Sequence, residues 1–382
     1  MKVLIVASPN IRGRGGQIRS YYILKHLTKL LVDTYLIAID TPRDVINELR
    51  RDNNINIISE QSCNKSHIDL CIVKIAHTIN ELINKLDIDI AVSHSEHPLF
   101  VLPIYFSSRN RVPWTVIVQS HMYINPLLRY GKYISVARFL RTKAALWAMN
   151  RTYVHLVSDA IQHELIKVSS GFRHYDVLDV PIGLEFDLID HCLRSNQPKM
   201  YDLAFMGVLS TEKGIYDLLY IVYEVSRKYK PIKALLLGDF VSADHRDKFM
   251  SIVEKLGLKK SIILAGFKTG LDKYCELSRA RLFIFPSYVD VYSISILEAL
   301  SVGLPVITWD LPYARQFKND AVIRVKNRSE FVNTLITLLK NQEHIERLSN
   351  EARRFTIKYT WSNAAYSEYK AFIKTISWWY RQ

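Results

Sequence analysis

Along this chain apolar residues fall into short unbroken runs, each followed by a stretch with apolar positions three and four apart. The runs predict strands buried on both faces, and the spaced stretches predict amphipathic helices packed over them. In the first half, strands are expected at residues 3–7, 34–39, 55–58, 90–93, 115–119 and 153–157, with a helix over 17–31. The alternation restarts at 203–206 and continues at 233–237, 262–264, 282–285 and 306–308. Such alternation builds a parallel sheet with helices on both faces. Two rounds of it predict an α/β protein of two doubly wound, Rossmann-like domains facing across a ligand cleft.

The turn from Val180 to Glu185 marks the switch between rounds, so the expected domains are 1–180 and 181–358, with a terminal segment at 359–382. That segment reads as a helix with Ala365, Tyr369, Phe372, Ile373 and Ile376 on one stripe. Its end, with Trp378, Trp379 and Tyr380, suits either a patch docked on the first domain or an interfacial anchor at a bilayer.

With 382 residues there is room for two cores, and 49% hydrophobic against 23% charged residues excludes a disordered chain. The apolar run at the N-terminus is too short for a signal peptide or a spanning helix. The expectation is a cytoplasmic protein, either free or peripheral on the cytoplasmic membrane face. Cys63, Cys71, Cys192 and Cys275 are scattered without metal-ligand spacing and read as reduced, buried thiols.

Charge changes the picture. The net charge is +14, and residues 97–158 contain no acid but carry Arg109, Arg111, Arg129, Lys132, Arg138, Arg141, Lys143 and Arg151. Such a field attracts an anionic surface. No zinc-finger spacing, RRM motif or basic zipper is present, so no nucleic-acid partner is expected. A membrane surface or a lipid-phosphate-linked acceptor fits better; a generally basic proteome is the other source of such a balance. Over residues 136–147 a helix is expected, with Val136, Leu140 and Trp147 packed inward and Arg138 and Arg141 facing out.

The densest chemistry lies in residues 282–308. An apolar strand ends at Phe285, a polar loop starts with Pro286 and Ser287, and a helix opens near Ser293 and stops at Gly303, with Pro305 beyond. Asp290 precedes the helix and Glu298 lies two turns inside it. The loop falls at the carboxyl end of a parallel strand, where open sheets bind ligands, and the N–H groups of Ile294 and Ser295 would face an anion there.

This acid–seven residues–Glu pattern, followed by Gly303-Leu-Pro305, resembles the Glu-x7-Glu motif of the retaining GT-B glycosyltransferases of group 1, which act on nucleotide sugars. The resemblance implies that Asp290 meets hydroxyls of the donor sugar and Glu298 the ribose hydroxyls. The chain departs from the pattern in having Asp first and in lacking glycines in the loop. Read without the pattern, Asp290 is a turn or cap residue and Glu298 a solvated helix acid.

Further matches follow in order. Gly15 and Gly16, beside Arg12, Arg14 and Arg19, correspond to the family's Gly-Gly loop under the donor diphosphate, with Arg14 on the acceptor side. After the strand at 203–206 come Gly207 and Lys213-Gly214, where the family uses Arg and Lys to neutralise the leaving diphosphate; Val208 replaces that Arg. His121 corresponds to a histidine that hydrogen-bonds the donor sugar. His94 and His97 end another strand and would line the acceptor side, a metal role lacking a third ligand. Gly238, Gly266 and Lys268 correspond to loops under the nucleotide. Asp87 and Asp89 precede a strand and read as a capping turn.

The resemblance therefore implies a metal-independent hexosyltransferase without a cofactor. It would carry His121, Asp290 and Lys213 as catalytic residues and Ser293, Ile294, Ser295 and Glu298 on the donor. A non-catalytic sugar-nucleotide-binding protein and a sugar-nucleotide epimerase are the other readings of the same fold.

Overall fold

The computed structural model describes residues 1–11, 15–51, 55–63, 67–120, 135–166, 170–195 and 197–382. They divide into two compact units, Met1–Gly183 together with Tyr359–Gln382, and Leu184–Lys358. His121, Arg12, Arg14, Arg129 and Lys132 lie outside the described residues.

The first unit alternates β1 (Lys2–Ala7), α1 (Gly15–Leu27), β2 (Asp33–Ile39), α2 (Arg43–Leu49), β3 (Ile55–Gln61), α3 (Ile68–Lys85), β4 (Ile90–Ser93), α4 (Pro98–Ser108), β5 (Trp114–Val118), α5 (Val136–Met149), β6 (Tyr153–Leu156), α6 (Asp159–Ile166) and β7 (Tyr175–Val177). All seven strands pair in parallel, in the order β3-β2-β1-β4-β5-β6-β7. Val3, Leu4 and Ile5, like Val116, Ile117 and Val118, have no exposed surface, which is why their runs show no polar alternation.

The second unit holds α7 (Phe186–Arg194), β8 (Tyr201–Met206), α8 (Ile215–Lys228), β9 (Ala234–Leu237), α9 (Ala243–Lys255), β10 (Ile262–Gly266), α10 (Gly270–Ser278), β11 (Ala280–Phe285), α11 (Ile294–Ser301), β12 (Val306–Trp309), α12 (Pro312–Arg315), β13 (Val322–Val325), α13 (Arg328–Lys340) and α14 (Gln342–Thr356). Its sheet, also parallel, runs β10-β9-β8-β11-β12-β13. Strand order reverses between β1 and β4 in one unit and between β8 and β11 in the other, and ligands of open parallel sheets sit at the carboxyl ends beside such a reversal.

The last helix, α15 (Trp361–Trp379), packs on α1, β5 and β6 and completes the first unit. Trp361 is buried, and a Cβ on Gly183 would stand 2.4 Å from the Trp361 backbone nitrogen. The two stretches that join the units therefore run side by side within the first unit. Farther along α15, Trp378 meets the Tyr153 ring edge-on and the His174 ring at a tilt. Among the described residues no helix is long and apolar enough to cross a membrane.

Four features differ from the sequence reading. The edge strands β7 and β13 were not expected, because one has three partly exposed residues and the other carries Arg324 inside a four-residue run. The first helix ends at Leu27 and tightens into a 3-10 turn over Thr28–Leu30. The cysteines are paired rather than reduced, Cys63 with Cys71 and Cys192 with Cys275; the second pair joins α7 to α10 across 83 positions, a proximity that only the tertiary fold creates. Finally, α5 turns the other way. It buries Thr142, Ala145, Leu146, Ala148 and Met149, which leaves Val136 (74%), Leu140 (60%) and Trp147 (49%) exposed.

Candidate active site

The reversal point of the second unit gathers the segment from Pro286 to Ser293. Every turn of that segment is held. Trp309 Nε1 donates to the Pro286 carbonyl at 2.9 Å, and the Tyr313 hydroxyl donates to that of Ser287 at 2.7 Å. The Tyr288 N–H donates to the Glu212 carbonyl at 2.9 Å, and Gln316 Nε2 to that of Val291 at 2.9 Å. Burial pushes the Tyr313 phenol upward, so it stays a neutral donor.

Within this frame Lys213 and Asp290, 77 positions apart, come together. The Lys213 ammonium donates to Asp290 Oδ2 at 3.0 Å and to the Val289 carbonyl at 2.9 Å. Asp290 Oδ1 accepts the Val291 N–H at 2.8 Å. Both side chains keep a partly exposed surface, so the cation remains open to a ligand. Gly214 is required by geometry: its φ is +72°, and a Cβ there would lie 1.9 Å from the Pro286 carbonyl oxygen. Next door, Gly207 and Gly238 both have left-handed backbones, and a Cβ on Gly238 would strike the Gly207 carbonyl oxygen at 1.9 Å. Val208 stands half-exposed beside them and supplies no charge.

Helix α11 starts where the sequence places it. The Ser293 hydroxyl accepts the Ile296 N–H at 3.4 Å as an N-cap, and the N–H groups of Ile294 and Ser295 lie at the first turn. Glu298 is not a solvated helix acid. It is 8% exposed and bonds through Oε1 to the Lys273 ammonium, with the Tyr274 hydroxyl at 3.4 Å and Glu185 at 4.0 Å from the same lysine. Lys273 went unnoticed in the sequence because a lysine in a solvated helix such as α10 carries no signal until the fold places it against an acid. Gly266 (φ +70°) ends β10, with Phe267 exposed and Lys268 half-buried after it.

In the first unit the reversal point brings Gly16, in the first turn of α1 after Gly15, against Gln119 after β5. Gln119 is fixed by its N–H to Glu96 Oε2 at 2.9 Å and by Nε2 to the His94 carbonyl at 2.5 Å. His94 does not line an open acceptor surface. It is 3% exposed and its Nε2 lies 2.5 Å from Glu368 Oε1 on α15, while Arg19 takes the other oxygen at 2.5 Å and donates Nε to the Pro181 carbonyl at 2.6 Å. The sequence treats His94 as a rim residue because β4 ends there, and it cannot show that a helix from the far end of the chain covers it. His97 caps α4, its Nδ1 accepting the Leu99 N–H at 3.2 Å. Asp89 accepts the Lys2 N–H at 2.7 Å, a strand-edge role in keeping with a structural turn.

Residues 194–355 match the family of glycosyl transferases group 1. The matched stretch lies within the second unit. The chain is similar to the poly(glycerol-phosphate) alpha-glucosyltransferase of Bacillus subtilis, with 29% identity over 161 residues, which is 41% of this chain and 24% of that protein. Matched segments span 24%, 64% and 34% of the lengths of three curated relatives, less than two thirds in each. Among solved structures it is similar to the sucrose-phosphate synthase of Thermosynechococcus elongatus, at 13% identity and a TM-score of 0.75 over 99% of both chains. HepE of Anabaena, solved in complex with UDP and glucose, gives 15% identity and a TM-score of 0.70 over 98% of this chain and 100% of that one. The chain thus has the two Rossmann-like units of the GT-B fold.

Proposed function

We propose that this protein is a retaining, metal-independent glycosyltransferase that moves a hexose from a nucleotide sugar to a glycan or lipid-linked acceptor. The observation that carries the reading is the Lys213–Asp290 contact at the β8/β11 reversal, beside the first turn of α11. Breaking the bond between the sugar and the diphosphate leaves an electron pair, and so negative charge, on the phosphate. The Lys213 ammonium and the N–H groups of Ile294 and Ser295 are aimed to stabilise that charge by preorganised electrostatics. Asp290 would hold hydroxyls of the transferred sugar, and Glu298, oriented by Lys273, would take the ribose. The family resemblance gives His121 and Gly16 a part in donor binding as well.

The donor reading is supported by HepE, which was solved with UDP and glucose. The acceptor reading is supported by a relative named for poly(glycerol phosphate), an anionic polymer, and by the acid-free basic stretch 97–158. Contact with an anionic membrane from the cytoplasmic side is supported by α5, where Val136 and Leu140 face solvent on the same helix as Arg138 and Lys143.

Purified protein incubated with UDP-glucose, UDP-N-acetylglucosamine and GDP-mannose, with and without EDTA, tests this. Transfer to a glycerol-phosphate or glycolipid acceptor with retained anomeric configuration, unaffected by EDTA, is the expected result. An inverted anomer, or turnover abolished by EDTA and restored by manganese, overturns the corresponding part. Binding without transfer favours a non-catalytic binding protein, and isomerised donor without acceptor favours an epimerase.

A further inference from the structure

The second unit contains an open cavity of about 530 Å³ that the donor reading does not use. It lies at the carboxyl ends of β12 and β13, where Trp309 ends the first and Lys326 follows the second, and is walled by α8, α12 and the start of α13. The segment from Pro286 to Asp290 separates it from Lys213: Asp290 turns to the lysine, while Tyr288, two residues earlier, turns into the cavity.

We propose that this cavity is a saccharide-binding subsite, distinct from the donor site, for a hexopyranose unit carrying at most one negative charge.

Three observations converge. Tyr288 and Trp309 stack with centroids 6.2 Å apart and 23° between planes, and Tyr288 is 53% exposed, so an aromatic surface is presented to the hollow. Sugar rings bury their C–H faces on such surfaces while their hydroxyls bond around the rim. That rim is built of planar, fixed polar groups. Asp217 accepts the Tyr288 hydroxyl at 2.9 Å and Arg328 at 2.9 Å, and Asp310 takes Arg315 through both oxygens, at 2.8 and 3.1 Å. A carboxylate or a guanidinium engaged this way keeps further lone pairs or N–H groups for a vicinal diol.

Charge decides against a second nucleotide. Among the lining residues two acids, Asp217 and Asp310, offset all but one of the three cations Arg315, Lys326 and Arg328; Arg324, 4.0 Å from Asp310, is not among them. The remaining ammonium, Lys326, has no side-chain partner among the described residues, and its charge is felt by Asp310. One spare cation suits a neutral sugar or a uronate but not a diphosphate. The volume falls within the range of small-ligand sites.

The full-length protein is tested by saturation-transfer NMR with maltose, methyl α-glucoside and glucuronate at millimolar concentration, with and without excess UDP. Transfer to at least one saccharide, insensitive to UDP, is expected. It should fall at least fivefold in Tyr288→Ala and in Arg315→Ala and persist in Asp290→Asn. Because Arg315 is exposed, its variant should keep the wild-type unfolding temperature, so a loss there reports binding. No transfer to any of the three, displacement by UDP, or unchanged transfer in Arg315→Ala overturns the proposal. UDP binding to the same samples is measured by calorimetry. Its absence would remove the donor reading while leaving this one standing.

Discussion

Arg19 and Glu368, 349 positions apart in the chain, meet at 2.5 Å with 3% and none of their side chains exposed. The carboxylate has His94 on its other oxygen, so one buried acid answers two basic side chains from α1 and the end of β4. Removing only the acid leaves the Arg19 charge buried with the Pro181 carbonyl but no carboxylate to answer it. We expect Glu368→Gln to destabilise the first unit by about 3–5 kcal/mol, read by urea denaturation. Lys370 on the same helix makes an exposed pair with Asp179, and removing it by Lys370→Ala should cost less than about 1 kcal/mol.

Stability should fall in two steps as pH drops. Burial lowers the His155 imidazole to about 4 from its usual 6.5, against a partial offset from Asp176 and Glu368. The unfolded state therefore binds the proton first, and the stability lost lies between pH 6.5 and 4. Burial alone would raise Glu368, but Arg19 and His94 outweigh it and hold the carboxyl near 2 rather than 4.5. That contribution is complete above 4.5 and disappears as pH falls toward 2. Thermal unfolding from pH 7 to 2.5 should show both steps, and His155→Gln should flatten only the upper one.

At the candidate donor site, Lys213→Ala should lower kcat by about 100- to 1000-fold while leaving the fold intact. Val208→Arg restores the missing cation beside Gly207 and should tighten UDP binding by about 1.5–3 kcal/mol, measured by calorimetry. A variant that binds UDP no better would show that a different group already supplies the charge.

Reduction should act unequally on the two cystine bridges. In the chain-entropy account the Cys192–Cys275 bridge, spanning 83 positions, is worth about 4–5 kcal/mol, and Cys63–Cys71, spanning 8, about 2–3 kcal/mol. Dithiothreitol should therefore lower the unfolding transition of the Cys63→Ser/Cys71→Ser variant more than that of Cys192→Ser/Cys275→Ser.

The outward face of α5 gives a binding prediction. Arg141 is engaged by Asp69 at 3.0 and 2.8 Å, so the apolar residues rather than that cation should dominate membrane contact. Val136→Glu with Leu140→Glu should abolish co-sedimentation with anionic vesicles, whereas Arg141→Ala should change it little.

The central strands were legible because a strand covered on both faces must be apolar throughout, as residues 3–7 and 282–285 are. The loop and cap around Asp290 and Ser293 were legible because turn and capping chemistry is local. What escaped was set by contacts between distant elements. Lys273 gains meaning only against Glu298, and His94 changes from rim to interior only because Glu368 arrives from α15. The orientation of α5 was misread because its small residues Ala145 and Ala148 face inward, where close approach favours them over Leu140 and Trp147.

Because Gly183 lies against Trp361, and α15 supplies the acid that Arg19 and His94 require, synthesis and folding of the first unit are out of step. Its seven-stranded sheet leaves the ribosome early, yet its interior stays incomplete until Tyr359–Gln382 emerges. The intervening residues, Leu184–Lys358, form a compact unit of their own. Premature termination just before Tyr359 would therefore injure the opening half of the chain, far from the residues it removes.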